Sequence, residues 1–316
     1  IPSTYDTDVD AAFTLSVSAG VLKALDAPAT AAAADSHSPS HGDGAATGGP
    51  TRDGAVTTEQ EGEGFSAEQA AEVERLVARA LEQCSGGGKF VDSAFSPSAA
   101  SLWLDGSAPN PALQLSADPV VSWRRPEEFA SAAQGSSLFK NDYEIEGVVP
   151  GALPNLWFLA ALNILGGNRD VIARSFVDST HAAQGFYVVR FYDEDILTDN
   201  DWRIVLVDDR LPCGADGNPC FGRSPTAGVL GVSILEKALA KARGCYEATT
   251  LGTVPEGLVL LSGGLSTSDD ILGHASDELW RALESKIDND ACVVGCEFAT
   301  SVGPAPDHLA ASGILP

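Results

Sequence analysis

The stretch "PGALPNLWFLAALNIL", residues 150–165, opens on Pro150, Gly151 and Pro154, then runs ten residues with one polar side chain, Asn163. A run of ten residues is too short to cross a bilayer. Their Leu- and Ala-rich content predicts a buried helix over 156–165, stopped by Gly166-Gly167. Downstream, "GFYVVRFYD" (185–193) and "DWRIVLVDDRLP" (201–212) are rich in aromatic and β-branched residues and read as strands. "GVSILEKALAKARGCYEA" (231–248) is a second helix, with Ile234, Leu235, Ala238 and Leu239 on one face. "SDELWRALESKI" (276–287) is a third, capped by Ser276, with Leu279, Leu283 and Ile287 inward, and "ACVVGCEFAT" (291–300) is a buried strand. Interspersed helices and strands make a mixed α+β domain.

Upstream the texture differs. Residues 27–64 are rich in Ala, Gly, Ser, Thr and Asp, with almost nothing large and apolar, so they bury too little to offset their ordering entropy. His37 and His41 lie in that linker and read as solvated, because the surrounding Ser, Pro and Gly forbid a metal-binding helix. "SAEQAAEVERLVARALEQC" (66–84) is a clear helix: Ser66 caps it with Gln69 three residues on, and Val73, Leu76, Val77 and Leu81 form one stripe. That stripe needs a partner, either downstream or on another protein.

Composition narrows the function. With 316 residues, 44% hydrophobic and 20% charged, the chain can bury a real core. It starts at Ile1 and has no methionine, which reads as a processed chain or a fragment. No apolar run spans a membrane, so no membrane insertion is expected. The net charge of −25 argues against a nucleic-acid or anionic-membrane surface, since phosphate binding needs clustered Lys and Arg. The six cysteines (Cys84, Cys213, Cys220, Cys245, Cys292, Cys296) are scattered, and no CxxC pairs with another, which argues against zinc and for reduced thiols in the cytoplasm. Cys292 and Cys296 fall on one face of a strand and Cys245 at a helix end, so they read as structural.

Several segments in one order then carry a resemblance. They are "VVSWRRPEEF" (120–129), "SSLF" (136–139), "GALPNLWFLAAL" (151–162), "DWRIVLVDDRLP" (201–212), "LEKALAKARGCYEA" (235–248), "SGGLS" (262–266), "LWRALESKI" (279–287), "VVGCEF" (293–298) and "DHLAAS" (307–312). Together they resemble the protease core of the calpains, papain-like cysteine proteases activated by calcium. The pair at 201–212 and 235–248, at that interval, is the most specific part. The likeness runs over roughly 119–316.

The resemblance implies a catalytically degenerate member. In the family the nucleophilic cysteine precedes the Trp of "G-D-C-W-F-L-A-A", at a helix amino terminus that favours the thiolate. Here the Trp is Trp157 and the nucleophile position is Leu156. The family's oxyanion-hole glutamine, six residues earlier, falls on Pro150, which donates from neither side chain nor backbone. His308 matches the family's histidine and reads as a relic. The family's first-lobe calcium carboxylates fall on Gly147 and near Val229, so no metal or other cofactor is expected, with a shifted site at Glu144 and Glu146 as the one alternative. Asp208 and Asp209 end a strand and read as structural.

The fold expected is therefore α+β, a calpain-type papain-like core: first lobe plus the start of the second, after a low-complexity amino-terminal region. The division is 1–118 (acidic, with one helix near 66–84), 119–288 (first lobe) and 289–316 (start of a truncated second lobe). Core-forming positions persist (Trp123, Trp157, Phe158, Leu159, Trp202, Leu235, Leu239, Trp280) while positions needed only for chemistry are replaced. That asymmetry implies a structural or scaffolding module that binds other proteins. Degenerate calpain-like proteins of protists imply cytoskeletal or ciliary/flagellar partners and a cytoplasmic, cytoskeletal or ciliary location. The alternative is a calcium-dependent cysteine endopeptidase with a divergent site.

Overall fold

The computed structural model describes residues 13–19, 66–113, 119–131, 135–193, 202–270, 277, 280–281, 284 and 292–298. In chain order the elements are β1 (Phe13–Ala19), α1 (Ala67–Cys84), α2 (Ala99–Leu102), β2 (Ser122–Arg124), α3 (Leu156–Leu165), α4 (Arg169–Ser175) and β3 (Phe176–Asp178). There follow β4 (Phe186–Tyr192), β5 (Trp202–Asp208), β6 (Leu211–Cys213), α5 (Gly231–Arg243), α6 (Val254–Ser262), β7 (Leu265–Asp270) and β8 (Cys292–Phe298). Among the described residues the strands form three small sheets, ordered β3-β4-β5, β2-β6 and β7-β1-β8.

The β4–β5 ribbon organises the first body. It is antiparallel, with Phe186 opposite Asp208 and Tyr192 opposite Trp202. Alternation along β4 sends Tyr187, Val189 and Phe191 into the main core with α3, α4, α5 and α6, while Phe186 and Val188 face the other way. There they meet Ala80 of α1 and Phe90, with Val73, Leu76 and Val77 packed alongside. The partner of the α1 stripe is thus the outer face of this ribbon, and β4 is buried on both sides.

Ser66 caps α1 as its sequence predicts: its hydroxyl accepts from the Gln69 N–H at 3.2 Å, and the Gln69 side chain returns the bond. Gln69 also donates to the Trp202 carbonyl at 3.1 Å, tying the helix start to β5. Ser66→Ala is expected to cost about 1 kcal/mol, read as a lowered urea midpoint with an unchanged slope. An unchanged midpoint would mean that α1 takes nothing from its cap.

Three expectations need correction. Leu81 does not join the stripe but is 37% exposed, and Ala80 and Gln69 are the fully covered positions of α1. Helix α5 is buried all round from Gly231 to Ala240 rather than on one face, because α3, β4 and β5 enclose it. Trp280 is 60% exposed, its indole N–H donating to Glu284 one turn on at 2.7 Å, so it is no core residue. Residues upstream of 119 also contribute to the packing. Phe95, Leu102 and Trp103 pack with Leu153, Phe221 and Tyr246 in a second apolar cluster of the first body.

Of the helix expected over 276–287, Asp277, Trp280, Arg281 and Glu284 are described; all are helical and exposed. The linker at 27–64, Leu279, Leu283, Ile287 and His308 lie outside the described residues. Among the described residues no helix is long and apolar enough to cross a membrane.

Candidate functional site

The segment before α3 is held flat against residues 220–223. Val149 and Arg223 exchange backbone hydrogen bonds at 2.8 and 3.0 Å, and the Ala152 N–H donates to the Cys220 carbonyl at 2.9 Å. The contact demands glycine at 151, where a β-carbon would stand 2.2 Å from the Phe221 backbone. Pro150, between these bonds, offers only its carbonyl, which Arg223 Nη1 approaches at 3.5 Å. Cys220, Arg223 and Ser224 also line a cavity of about 340 Å³ with Phe129, Asp216 and Leu230.

Leu156 is the first residue of α3 and is partly exposed. Behind it, Trp157, Phe158, Leu159, Leu162 and Leu165 are buried. The Trp157 indole donates to the Thr249 carbonyl at 2.7 Å, and its ring lies close to Gly252 and Gly257. Arg243 stacks over the ring at 4.7 Å, so the amino-terminal turn of α3 is fixed from several sides. Pro150 and Leu156 thus lie on one segment held by the backbone bonds to 220–223 and by the contacts of Trp157.

Asn155 precedes the helix but does not cap it with its side chain. Its Nδ2 donates instead to Glu236 of α5 at 2.8 Å. Glu236 also accepts the Gly222 N–H, at 3.1 Å on Oε1 and 2.9 Å on Oε2. Burial pushes the Glu236 carboxyl up to about 7, against these neutral donors, which lower it. Asn155 Oδ1 is buried without a partner. Sequence reasoning missed this pair. The available signal was a glutamate inside "SILEKALA" with apolar residues on every side of it.

Asp208 and Asp209 are both spent on ion pairs. Asp208 holds Lys237 at 2.5 Å and Arg210 at 2.6 Å and accepts the Asp92 N–H at 3.0 Å. Burial works against its charge, but Lys237, Arg210 and that N–H together outweigh it and hold the carboxyl below its ordinary value. Asp209 pairs with Lys89 at 3.1 Å and with Arg125. The acids near the expected calcium position are likewise engaged: Glu144 with Arg169 at 2.9 Å, Glu146 with Lys140 at 2.8 Å and with the Thr226 hydroxyl at 3.2 Å. Among the described residues no three metal-ligating side chains converge.

The described cysteines sit away from the α3 amino terminus in sequence and in role. Cys84, Cys213 and Cys220 donate to the backbone carbonyls of Gln184, Leu211 and Pro212. Burial pushes the Cys213 thiol up to about 12 and raises that of Cys245, the reverse of what a nucleophile needs. Cys292 and Cys296 share one face of β8 by the strand alternation.

Comparison with known proteins follows this geometry. The family profile described as "Calpain family cysteine protease" matches residues 90–313, which carries the likeness upstream of residue 119 into the packed segment around Phe90 and Phe95. The chain is 34% identical over 252 residues to "Calpain-type cysteine protease ADL1" of Oryza sativa subsp. japonica, covering 77% of this chain and 11% of that protein. "Calpain-type cysteine protease DEK1" of Zea mays matches with the same identity and coverage. "Calpain-10" of Rattus norvegicus is 35% identical over 182 residues, 56% of this chain and 25% of that protein. The chain thus spans about one ninth of the length of the first two relatives.

Proposed function

Because the chain belongs to the calpain family of cysteine proteases, we propose that it is an inactive member, kept as a structural module that binds other proteins. The observation that carries this reading is Leu156 at the head of α3, on a segment fixed by Asn155, Trp157 and the 220–223 backbone. A hydrocarbon there cannot attack a carbonyl. Pro150 supplies no N–H to an oxyanion, and a missing oxyanion donor typically costs about 2.7–4 kcal/mol of transition-state stabilisation. The buried, proton-holding thiols of Cys213 and Cys245 support the same reading. The ion pairs at Glu144 and Glu146 support loss of the family's calcium switch, since both carboxylates are already neutralised by Arg169 and Lys140. The partners belong to cytoskeletal or ciliary assemblies on this reading, in the cytoplasm.

The names of the relatives favour the alternative, a calcium-dependent endopeptidase with a divergent site. One assay separates the two: casein hydrolysis with calcium by the unaltered chain and by Leu156→Cys/Pro150→Gln. The unaltered chain is expected to release no peptide above a no-protein blank. Calcium-dependent turnover by that chain would overturn the proposal.

A further inference from the structure

The third sheet is assembled from distant parts of the chain. Strand β1 lies between β7 and β8 and is antiparallel to both, with Leu15 opposite Asp269 on one side and Cys296 on the other. Among the described residues β7 and β8 do not pair with each other, so β1 alone joins them. Without it, each presents a row of unpaired backbone groups. The sheet lies against the helices of the first body, β1 and β7 meeting α6 and β8 meeting α3.

The register matches the residue pattern. "FTLSVSA" alternates strictly, so Phe13, Leu15, Val17 and Ala19 share one face and Thr14, Ser16 and Ser18 the other. Opposite the apolar row β8 places Phe298, Cys296, Val294 and Cys292 in turn. Opposite Ser16 and Ser18 stand Ser268 and Ser266 of β7, with Gly295 and Val293 of β8. Against β8, a slip of one residue would set this apolar row opposite Glu297 and Gly295, so the pattern selects the register on that side, while on the β7 side Leu15 and Val17 stand opposite Asp269 and Thr267.

Forty-six residues separate β1 from Ser66, and 27–64 among them carry almost nothing large and apolar. Fully extended, such a stretch spans roughly 150 Å. Its length therefore does not force β1 into this slot. The strand's own pairing does.

The geometry points to β1 as a built-in donor strand that occupies, in its own chain, a slot between β7 and β8 able to accept an extended peptide of alternating apolar and small polar residues. While β1 is in place the slot is closed to any other strand, and its withdrawal opens a backbone-reading site of the strand-addition kind. This holds whether or not the chain cleaves peptides.

Directly opposite residues in an antiparallel pair stand about 4.5–5.5 Å apart at Cα, which a disulfide spans. The full chain carrying Leu15→Cys, oxidised mildly, is therefore expected to form a 15–296 link in the monomer, found by peptide mapping under non-reducing conditions. The second arm uses Val17→Pro, which removes a backbone donor from a strand paired on both edges. A fluorescent synthetic peptide of residues 10–22 is the probe. It is expected to bind the Val17→Pro chain at least about a hundred-fold tighter than the linked chain, since a tethered strand competes at an effective concentration of about 1 mM. Near-ultraviolet circular dichroism of the buried aromatic clusters checks that the first body stays folded in both. A 15–296 link that joins two chains, no link at all, or equal peptide binding to both variants would each overturn the proposal.

Discussion

Asp208→Asn is expected to cost about 3–5 kcal/mol of stability, a fall in melting midpoint on the order of 10 °C. The reason is what the change leaves behind. Lys237 is buried to 1% exposure, and its ammonium donates to Asp208 Oδ1 at 2.5 Å, the Asp208 carbonyl at 3.0 Å and the Arg210 carbonyl at 2.6 Å. Of these acceptors only the carboxylate is charged. An amide of the same shape strands a cation in the interior and turns donors toward Arg210, which bonds the other oxygen. Removing both charges does not strand anything. The double variant Asp208→Asn/Lys237→Met is expected to recover more than half of the loss, because buried pairs exchanged together for apolar groups are often nearly neutral. Urea unfolding of the parent, both single variants and the double gives the coupling. A single-variant loss below about 1 kcal/mol, or a double variant no better than the sum of the two singles, would mean that the pair sits in a wetter place than its burial indicates.

These charges also mark where the sequence stops being readable. α3, β4, β5 and α5 were legible because apolar residues recur at helical or strand spacing, a property of neighbours in the chain. α1 was legible to its cap, because Ser66 and Gln69 satisfy each other within one turn. Glu236 and Lys237 fall outside the apolar face that the sequence gives α5. They are buried because Gly222 and Asn155 take up one and Asp208 the other, across 14 to 81 residues of sequence. No local period encodes that. Trp280 misled in the opposite sense: its size argued for the core, yet its indole N–H bonds Glu284 on its own exposed helix. β1 was overlooked for a third reason. Its alternation is plain, but seven such residues predict nothing until β7 and β8, some 250 residues later, supply edges for them. At the candidate site, Leu156 and Pro150 could be singled out only through resemblance, since leucine and proline before a buried helix carry no chemical signal. The Asn155–Glu236 contact that fixes that segment needed the fold.

That contact has a pH signature with a defined sign. The folded Glu236 carboxyl loses its proton at about 7, whereas an ordinary glutamate does so near 4.5. Between those values the unfolded chain is ionised at this position while the folded chain still holds the proton. Stability from Glu236 is therefore full below pH 4.5, declines as pH rises, and levels off above about 7. A gap of about 2.5 pH units, at about 1.4 kcal/mol each, makes the change on the order of 3 kcal/mol. Glu236→Gln fixes the neutral form. Its amide can keep the Gly222 N–H on the oxygen side and offer N–H to Asn155 Oδ1, now without a partner, once the Asn155 amide turns over. The variant is thus expected to match the parent closely at pH 5 and to exceed it by on the order of 3 kcal/mol at pH 8. The difference between the two unfolding free energies isolates this group, because every other titration is shared. A difference that stays flat from pH 5 to 8 would show that Glu236 titrates alike in the folded and unfolded chain, and the anchoring of the α3 amino terminus would then have to rest on Trp157 and the 220–223 backbone alone.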